Sequence, residues 1–454
     1  MKMPALIILA GFLVSPAFGQ EESAFHRGLE AFSNGEYATA MEVWLPLAEA
    51  GELSAMYNVA LMYDDGLGVE ADRELALHWY REPAEQGDIS SQFAMASILD
   101  FGEGVPEDNA EAIRWYEAAA AMADAEAQFN LGLMYGRGEG TQRDLTKSLE
   151  WYRLSADQGY APAQFNLGYI YDIGEGVAEN NVRALDWYIK AANSGDLDAI
   201  YAIGLMHHSG DGMERDSVAA LRWYDEAANR GHLRSQFNLA MMYDVGKGVP
   251  ENNAEALRWY RAAADQGHMA AQINLAVMLQ SGEGTPVDLS EALKWYMHAA
   301  EQGSAHAQYA AAFMLDGGIG TTEDNAAAAF LYELAADQGN HDAQNNLGAM
   351  YDAGEGVVQD KDRALYWYRL AAEQGNPVAQ NNLGALYYSG DGNRQDKREA
   401  YKWFYIAEQL GSEAGKQNRE TSARAMGLDV ILEARREADS WLSRHLGVSL
   451  AEDD

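Results

Sequence analysis

The sequence predicts an all-helical solenoid of stacked helix pairs. Three observations carry this: a G-x-G pair that returns every 36 residues, an aromatic comb in phase with it, and apolar residues at helical spacing between the two. The first glycines of the pairs are Gly66, Gly102, Gly138, Gly174, Gly210, Gly246, Gly282, Gly318, Gly354 and Gly390, every interval being 36. No insertion breaks the register, which marks an array whose units pack only on their neighbours.

The comb is Trp79, Trp115, Trp151, Trp187, Trp223, Trp259, Trp295, Leu331, Trp367 and Trp403, so only Leu331 departs. An aromatic follows each of these positions, from Tyr80 to Phe404. Each unit reads as two helices. In one of them Ala163, Leu167, Ile170 and Tyr171 share a face. Gly174 and Gly176 stop this first helix, because glycine accepts the left-handed conformation that a helix end requires.

A cap for the second helix follows at Asp72, Asp108, Asp144, Asn180, Asp216, Asn252, Asp288, Asp324, Asp360 and Asp396. All ten side chains are of the kind that accepts from free N–H groups at a helix start. The second helix carries Ala184, Trp187, Tyr188 and Ala191 on its apolar side and ends at Gly195, a glycine in every unit except at Ala123. The position of Gly168 is always Gly or Ala, so two helices approach closely there. The facing tryptophan is expected to fill the space between neighbours, and Trp223→Ala to cost roughly 3–5 kcal/mol.

These residues resemble the Sel1-like repeat family, a relative of the tetratricopeptide repeat. The shared pattern is A-x-A-Q-x-N-L-G-x-x-Y-x-x-G-x-G-V, then Asp, then W-Y-x-x-A-A-x-Q-G, from about Ala50 to Gly411. One copy would be weak; ten copies in register are specific. The resemblance implies a right-handed superhelix of antiparallel helix pairs and a role as adaptor or scaffold. The chain has no cysteine, unlike the disulfide-bearing secreted branch of that family, so activities ascribed to that branch are not carried over.

The array spans 53–412. Ahead of it, 20–52 form a shortened, tetratricopeptide-like capping pair with Gly28, Ala31, Asn34-Gly35-Glu36-Tyr37 and Ala40. Behind it, 413–454 read as closing helices, with Ala434, Ala438, Trp441 and Leu442 placed to seal the last repeat. Residues 1–19 read as a secretion signal: Lys2, an apolar run from Ala5 to Val14, then Ala17-Phe18-Gly19, with cleavage expected before Gln20. The expected location is therefore the periplasm or the medium. A cysteine-linked lipid anchor is excluded, and no stretch is long and apolar enough to span a bilayer.

Charge is strongly acidic, 70 Asp plus Glu against 32 Lys plus Arg, net −38. Such a field disfavours nucleic acid and anionic membrane and favours a basic or neutral partner. It also opposes self-association at low salt, so a monomer is expected.

By analogy with tetratricopeptide repeats, the residue two before Leu167 faces the concave groove. That series is Tyr57, Phe93, Phe129, Phe165, Tyr201, Phe237, Ile273, Tyr309, Asn345 and Asn381. Asp64, Asp100, Asp172 and Asp244 recur farther along the same helix. The groove is thus expected to be aromatic with an acidic margin, suited to an extended or helical segment with apolar anchors and Lys or Arg. The alternative is that the aromatics pack against the next repeat.

No cofactor, metal or catalytic site is expected. The G-x-G pairs follow helices rather than strands and lack the dinucleotide-loop context. The acidic loops at Asp100 to Gly104, Asp172 to Gly176 and Asp352 to Gly356 lack the ligand set of a twelve-residue calcium loop. His207 and His208 are adjacent and point in different directions on a helix. H-E-x-x-H, G-x-S-x-G and S-x-x-K are missing, which leaves an envelope hydrolase acting on peptidoglycan or a β-lactam without a nucleophile. The expected function is an exported, non-enzymatic interaction scaffold that binds its partner in the concave groove; in one version it regulates the envelope, and in the other it is a secreted factor binding a host or neighbouring protein.

Overall fold

A computed structural model describes residues 18–390 and 395–446. The leader expected over 1–19 lies outside the described residues except for the backbone of its last two. The described residues form 24 α-helices and no strand.

They fall into two compact units that divide after Arg230. The first begins with the capping pair α1 (Phe18–Ser33) and α2 (Tyr37–Glu49). The pairs α3 (Leu53–Asp65) and α4 (Arg73–Glu85), α5 (Ile89–Phe101) and α6 (Asn109–Ala121), and α7 (Ala125–Arg137) and α8 (Leu145–Asp157) follow. It closes with α9 (Ala161–Ile173) and α10 (Asn181–Asn193), then α11 (Leu197–Ser209) and α12 (Ser217–Asn229).

The second unit holds α13 (Leu233–Asp244) and α14 (Asn253–Asp265), α15 (Met269–Ser281) and α16 (Leu289–Glu301), and α17 (Ala305–Asp316) and α18 (Asn325–Asp337). Next come α19 (His341–Ala353) and α20 (Lys361–Glu373), then α21 (Pro377–Ser389) and α22 (Lys397–Gln409). It ends with α23 (Glu413–Ala423) and α24 (Leu428–Leu446).

Helix ends follow their capping chemistry. All ten Asp or Asn side chains at the second-helix start accept from backbone N–H groups two or three residues on. First helices end where the chain turns left-handed; Gly174, for example, sits at φ 72°. The two helices of a repeat run antiparallel. Asp144 N–H donates to Tyr135 O at 2.8 Å and Ser148 Oγ to Gly132 O at 2.6 Å, so residue number falls along α8 as it rises along α7.

One expectation about the core is corrected. The small residue of the first helix faces the tyrosine of the W-Y pair, not the tryptophan. A Cβ on Gly168 would lie 2.5 Å from the Tyr188 ring, and one on Gly132 2.6 Å from Tyr152. The reason is the 100° step between adjacent helical residues: only one of the two aromatics points straight at the partner helix. Tyr80, Tyr116, Tyr188, Tyr224, Tyr260 and Tyr332 are accordingly 0–2% exposed. The neighbouring tryptophans sit half-buried, reaching sideways: Trp187 packs on the cluster around Tyr152 and Leu167, and Trp223 on the one around Tyr188 and Ile203. Trp259, Trp367 and Trp403 are buried.

Side-chain amides tie repeat to repeat. Gln128 Nε2 donates to Ala120 O, at the end of the preceding repeat, at 3.2 Å, and Gln164 Nε2 to Ala156 O at 3.0 Å. The free Gln128 Oε1 accepts from Gln158 Nε2 at 2.8 Å; Gln236, Gln272, Gln308 and Gln344 accept likewise at 2.7 Å from the glutamine thirty residues on. At the C-terminal end Ala434, Ala438, Trp441 and Leu442 of α24 are buried, and the Trp441 ring meets Trp403 edge-on at 5.9 Å.

Candidate functional site

The aromatic series expected to line a groove lies on the first helices, and each ring leans on the buried tyrosine of its own repeat. In the first unit Tyr57–Tyr80, Phe93–Tyr116, Phe129–Tyr152, Phe165–Tyr188 and Tyr201–Tyr224 have centroids 5.6–5.8 Å apart. In the second unit Phe237–Tyr260 and Tyr309–Tyr332 are 5.9 Å apart. The residue that precedes the following first helix covers some of them from the other side. Phe129 meets Tyr160 at 5.5 Å, and Phe237 stacks on His268 at 4.3 Å. Tyr57 and Asn345 are buried and the rest are half-buried. The half-buried aromatics are therefore wedges between tyrosine and neighbouring repeat, each with one edge towards solvent.

The aspartates have a structural task. Asp100 accepts from Tyr116 Oη at 3.4 Å, Asp172 from Tyr188 Oη at 3.3 Å and Asp244 from Tyr260 Oη at 3.0 Å. The first two are long for an O–H···O bond. Asp64 is instead paired with Arg73 at 2.8 Å. Burial pushes the Asp100 and Asp172 carboxyls above the usual aspartate range, opposed by the tyrosine hydroxyl. The same burial raises Tyr116 and Tyr188, with the adjacent carboxylate adding to it.

The more exposed apolar surface is one that the sequence reading did not single out. Four residues after the members of the series in the fourth to eighth repeats, on the same helix face, stand exposed apolar residues: Tyr169 and Leu205 in the first unit, 48% and 45% exposed. Met241, Val277 and Phe313 hold the place in the second unit, 41%, 43% and 47% exposed. Exposure at this level, repeated at one position, has no packing cause within a repeat. The signal was available: an apolar residue at i+4 from a wedge widens a stripe beyond what the partner helix needs. Beyond it in alternate repeats lie Phe101, Ile173 and Val245, 68%, 49% and 63% exposed.

His207 and His208 lie half-buried near the end of α11. Among the described residues no three His, Cys, Asp or Glu side chains are grouped as metal ligands, and no helix is long and apolar enough to cross a membrane.

The Sel1 repeat model matches the chain ten times, over 53–88, 89–124, 125–160, 161–196, 197–232, 233–268, 270–304, 305–340, 341–376 and 377–412. Among solved structures the chain is similar to c5321, described as a protective antigen present in uropathogenic Escherichia coli strains and displaying an SLR fold. That match has 31% identity and a TM-score of 0.57, and covers 89% of this chain and 95% of the other. It is also similar to a Sel1 repeat protein from Oxalobacter formigenes, at 34% identity and a TM-score of 0.52, over 68% of this chain and 90% of the other. No curated protein matches. With ten matched repeats and the same helix-pair architecture in these structures, the chain belongs to the Sel1 repeat family.

Proposed function

We propose that the protein is exported and acts as a non-enzymatic scaffold, holding a protein or peptide partner along the first helices of its repeats. Sel1 repeat proteins mediate protein–protein interaction. The observation that carries the reading is the exposed apolar series, Tyr169 and Leu205 in one unit and Met241, Val277 and Phe313 in the other. Repeated apolar side chains left in water cost free energy that a partner's apolar anchors recover. Carboxylates near the ends of the same helices, such as Asp172 and Asp244, favour a partner that carries Lys or Arg around those anchors.

The test is capture from envelope extract and culture medium by the leaderless chain and by a Tyr169→Ser, Leu205→Ser, Met241→Ser, Phe313→Ser variant. The expected result is a protein retained by the first and lost by the second at unchanged thermal stability. Equal retention by both overturns the assignment of the site. Serine at Phe129, Phe165 and Phe237 is a poorer test, since those rings brace core tyrosines.

A secreted, host-facing version is favoured by one observation, the likeness to a protective antigen of uropathogenic strains. Fractionation separates the two: a periplasmic pool supports the envelope scaffold, and accumulation in the medium the secreted one.

A further inference from the structure

We propose that the cleft between α8 and α10, on the second-helix side of the third and fourth repeats, binds an acidic peptide segment. It is separate from the apolar series on the first helices and does not rest on that reading.

The chain has more than twice as many acids as bases, and its cations commonly find them. Arg73 meets Asp64 and Glu103, Arg143 meets Glu175, and Arg419 meets Glu408, all within 2.8 Å. Arg183 and Lys190 do not: among the described residues neither has a carboxylate within ion-pairing distance. Each lies instead over an aromatic ring, Arg183 Cζ 5.5 Å from the Tyr171 centroid and Lys190 Nζ 3.6 Å from that of Trp187. Both side chains are exposed. Arg153, on the facing helix α8, has one carboxylate near it among the described residues, Asp157 at 3.9 Å, with both side chains mostly exposed.

These three cations line one cleft of about 540 Å³ together with Leu149, Trp187 and Tyr171. Glu150 and Asp186 line it too, which leaves a small positive excess. The pair of cations is particular to the fourth repeat. Where Arg183 stands, four repeats carry Glu111, Glu255, Glu291 and Glu399 and two carry a cation, Lys147 and Arg363; where Lys190 stands, Lys147 and Arg363 are matched by Leu154 and Leu370, and two other repeats carry Glu82 and Glu226. Lys190 is the only lysine or arginine at its position in the ten repeats. The contrast reaches the surroundings. Residues 53–124 hold 15 acids and 3 bases, net −12, whereas 125–196 hold 10 acids and 6 bases, net −4.

Geometry sets what fits. Arg183 and Lys190 are seven residues apart on one helix face, an axial rise of about 10 Å. Asp186 lies between them and repels a third acid there. The complementary ligand has two carboxylates about 10 Å apart with an uncharged stretch that rests on Trp187. An extended polyproline-like segment places residues i and i+3 about 9 Å apart on one side, so an E-x-x-E pattern satisfies the spacing.

The probe is a fluorescein-labelled Glu-Pro-Leu-Glu-Pro-Leu-Glu peptide, titrated by anisotropy against the full chain at low and high salt. Its all-glutamine counterpart and a sulfated hexasaccharide serve as comparators. Binding by the glutamate peptide is expected, weakening with salt as the ionic atmosphere shortens. Reversing both charges in an Arg183→Glu, Lys190→Glu variant is expected to weaken it about tenfold or more. Arg222→Glu, on another exposed helix face, should leave it unchanged. If the double reversal lowers the melting temperature, the Arg183→Gln, Lys190→Gln variant replaces it with the same expectation.

No binding at low salt, or binding indifferent to both double variants, overturns the proposal. Equal binding of the glutamine peptide overturns the charge argument. Tighter, Arg183-dependent binding of the sulfated sugar overturns the peptide assignment in favour of a polyanionic glycan.

Discussion

Replacing Ser194 with glutamine should stabilise the protein, and the size of the effect follows from the amide relay. In the repeats at Gln128, Gln236, Gln272, Gln308 and Gln344 the buried glutamine donates to the preceding repeat or is held in place, and its oxygen accepts from a glutamine thirty residues on at 2.7–2.8 Å. Gln164 donates to Ala156 in the same way, but its Oε1 is buried and has no partner among the described residues. The residue thirty on is Ser194, too short to reach. Gln92 and Gln380 repeat the pattern: their oxygens are also orphaned, and Met122 and Leu410 stand where the donor would be.

Ser194 has φ −85° and ψ 4°, close to the −81° and −4° of Gln158, so a glutamine side chain there starts from the right backbone. Satisfying a buried acceptor is worth about 1–3 kcal/mol. Immobilising an exposed glutamine costs about 1–2 kcal/mol of rotamer freedom. A net gain of up to about 1 kcal/mol is expected. Urea unfolding followed by circular dichroism at 222 nm reads it as a higher midpoint, and hydrogen exchange in α9 and α10 localises it. Ser194→Glu is the control, since a carboxylate of the same length cannot donate to Gln164 Oε1. Equal midpoints for Ser194→Gln and Ser194→Glu would refute the relay.

Three further outcomes are expected. Tyr116→Ala removes a fully buried ring and should cost about 4 kcal/mol; Trp115→Ala, half-buried beside it, should cost at least about 1 kcal/mol less, and equal losses in chemical denaturation would return the tryptophan to the core. Asp100→Asn should raise stability at pH 7 by less than about 1 kcal/mol, discounted for the carboxyl's half exposure. Burial raises the Asp100 carboxyl, so its protonated form is favoured in the fold: that contribution is present below the unfolded aspartate range and lost as pH rises through the raised value. The asparagine advantage should therefore vanish near pH 3, and an advantage independent of pH would contradict the sign. Ala123 has φ 64°, the one non-glycine with positive φ among the described residues, at a place that is glycine in the other repeats. Ala123→Gly should stabilise by about 0.5–1 kcal/mol in the same denaturation assay, and a loss would mean that the Cβ makes a contact worth more than the strain.

The repeat boundaries, helix ends and pairing were legible because each rests on local chemistry repeated ten times. A glycine where the chain turns left-handed, and a carboxylate or amide where N–H groups are free, state their role without knowledge of the partner. What the sequence left open was direction across the helix. Trp187 and Tyr188 are adjacent letters, and only the packing of α10 on α9 shows that Tyr188 enters the notch at Gly168 while Trp187 turns to the neighbouring repeat. The charge of Asp172, and so a margin for a ligand, is legible in the sequence; its acceptance from Tyr188, sixteen residues on, is not. Phe129 and Phe165 stand out as a series in the sequence, whereas their stacking on tyrosine belongs to the third dimension. Tyr169 and Leu205 lie one helical turn beyond that series, where letters alone do not separate a solvent-facing side chain from a packed one.

The relays also bear on how such a chain changes length. Gln272 reaches Ala264 and Gln308 reaches Ala300, each the same distance back, and the glutamine that each accepts from, Gln302 or Gln338, belongs to its own repeat. Excising 269–304 would bring Gln308 to Ala264 with every junction residue of the right kind. Copy number is thus a variable that can drift by whole units while the chemistry of each seam stays intact, and a single cooperative melt of the shortened chain would be its signature. A partner that lies along the first helices would then be measured out in steps of one repeat, like cloth against a marked rule.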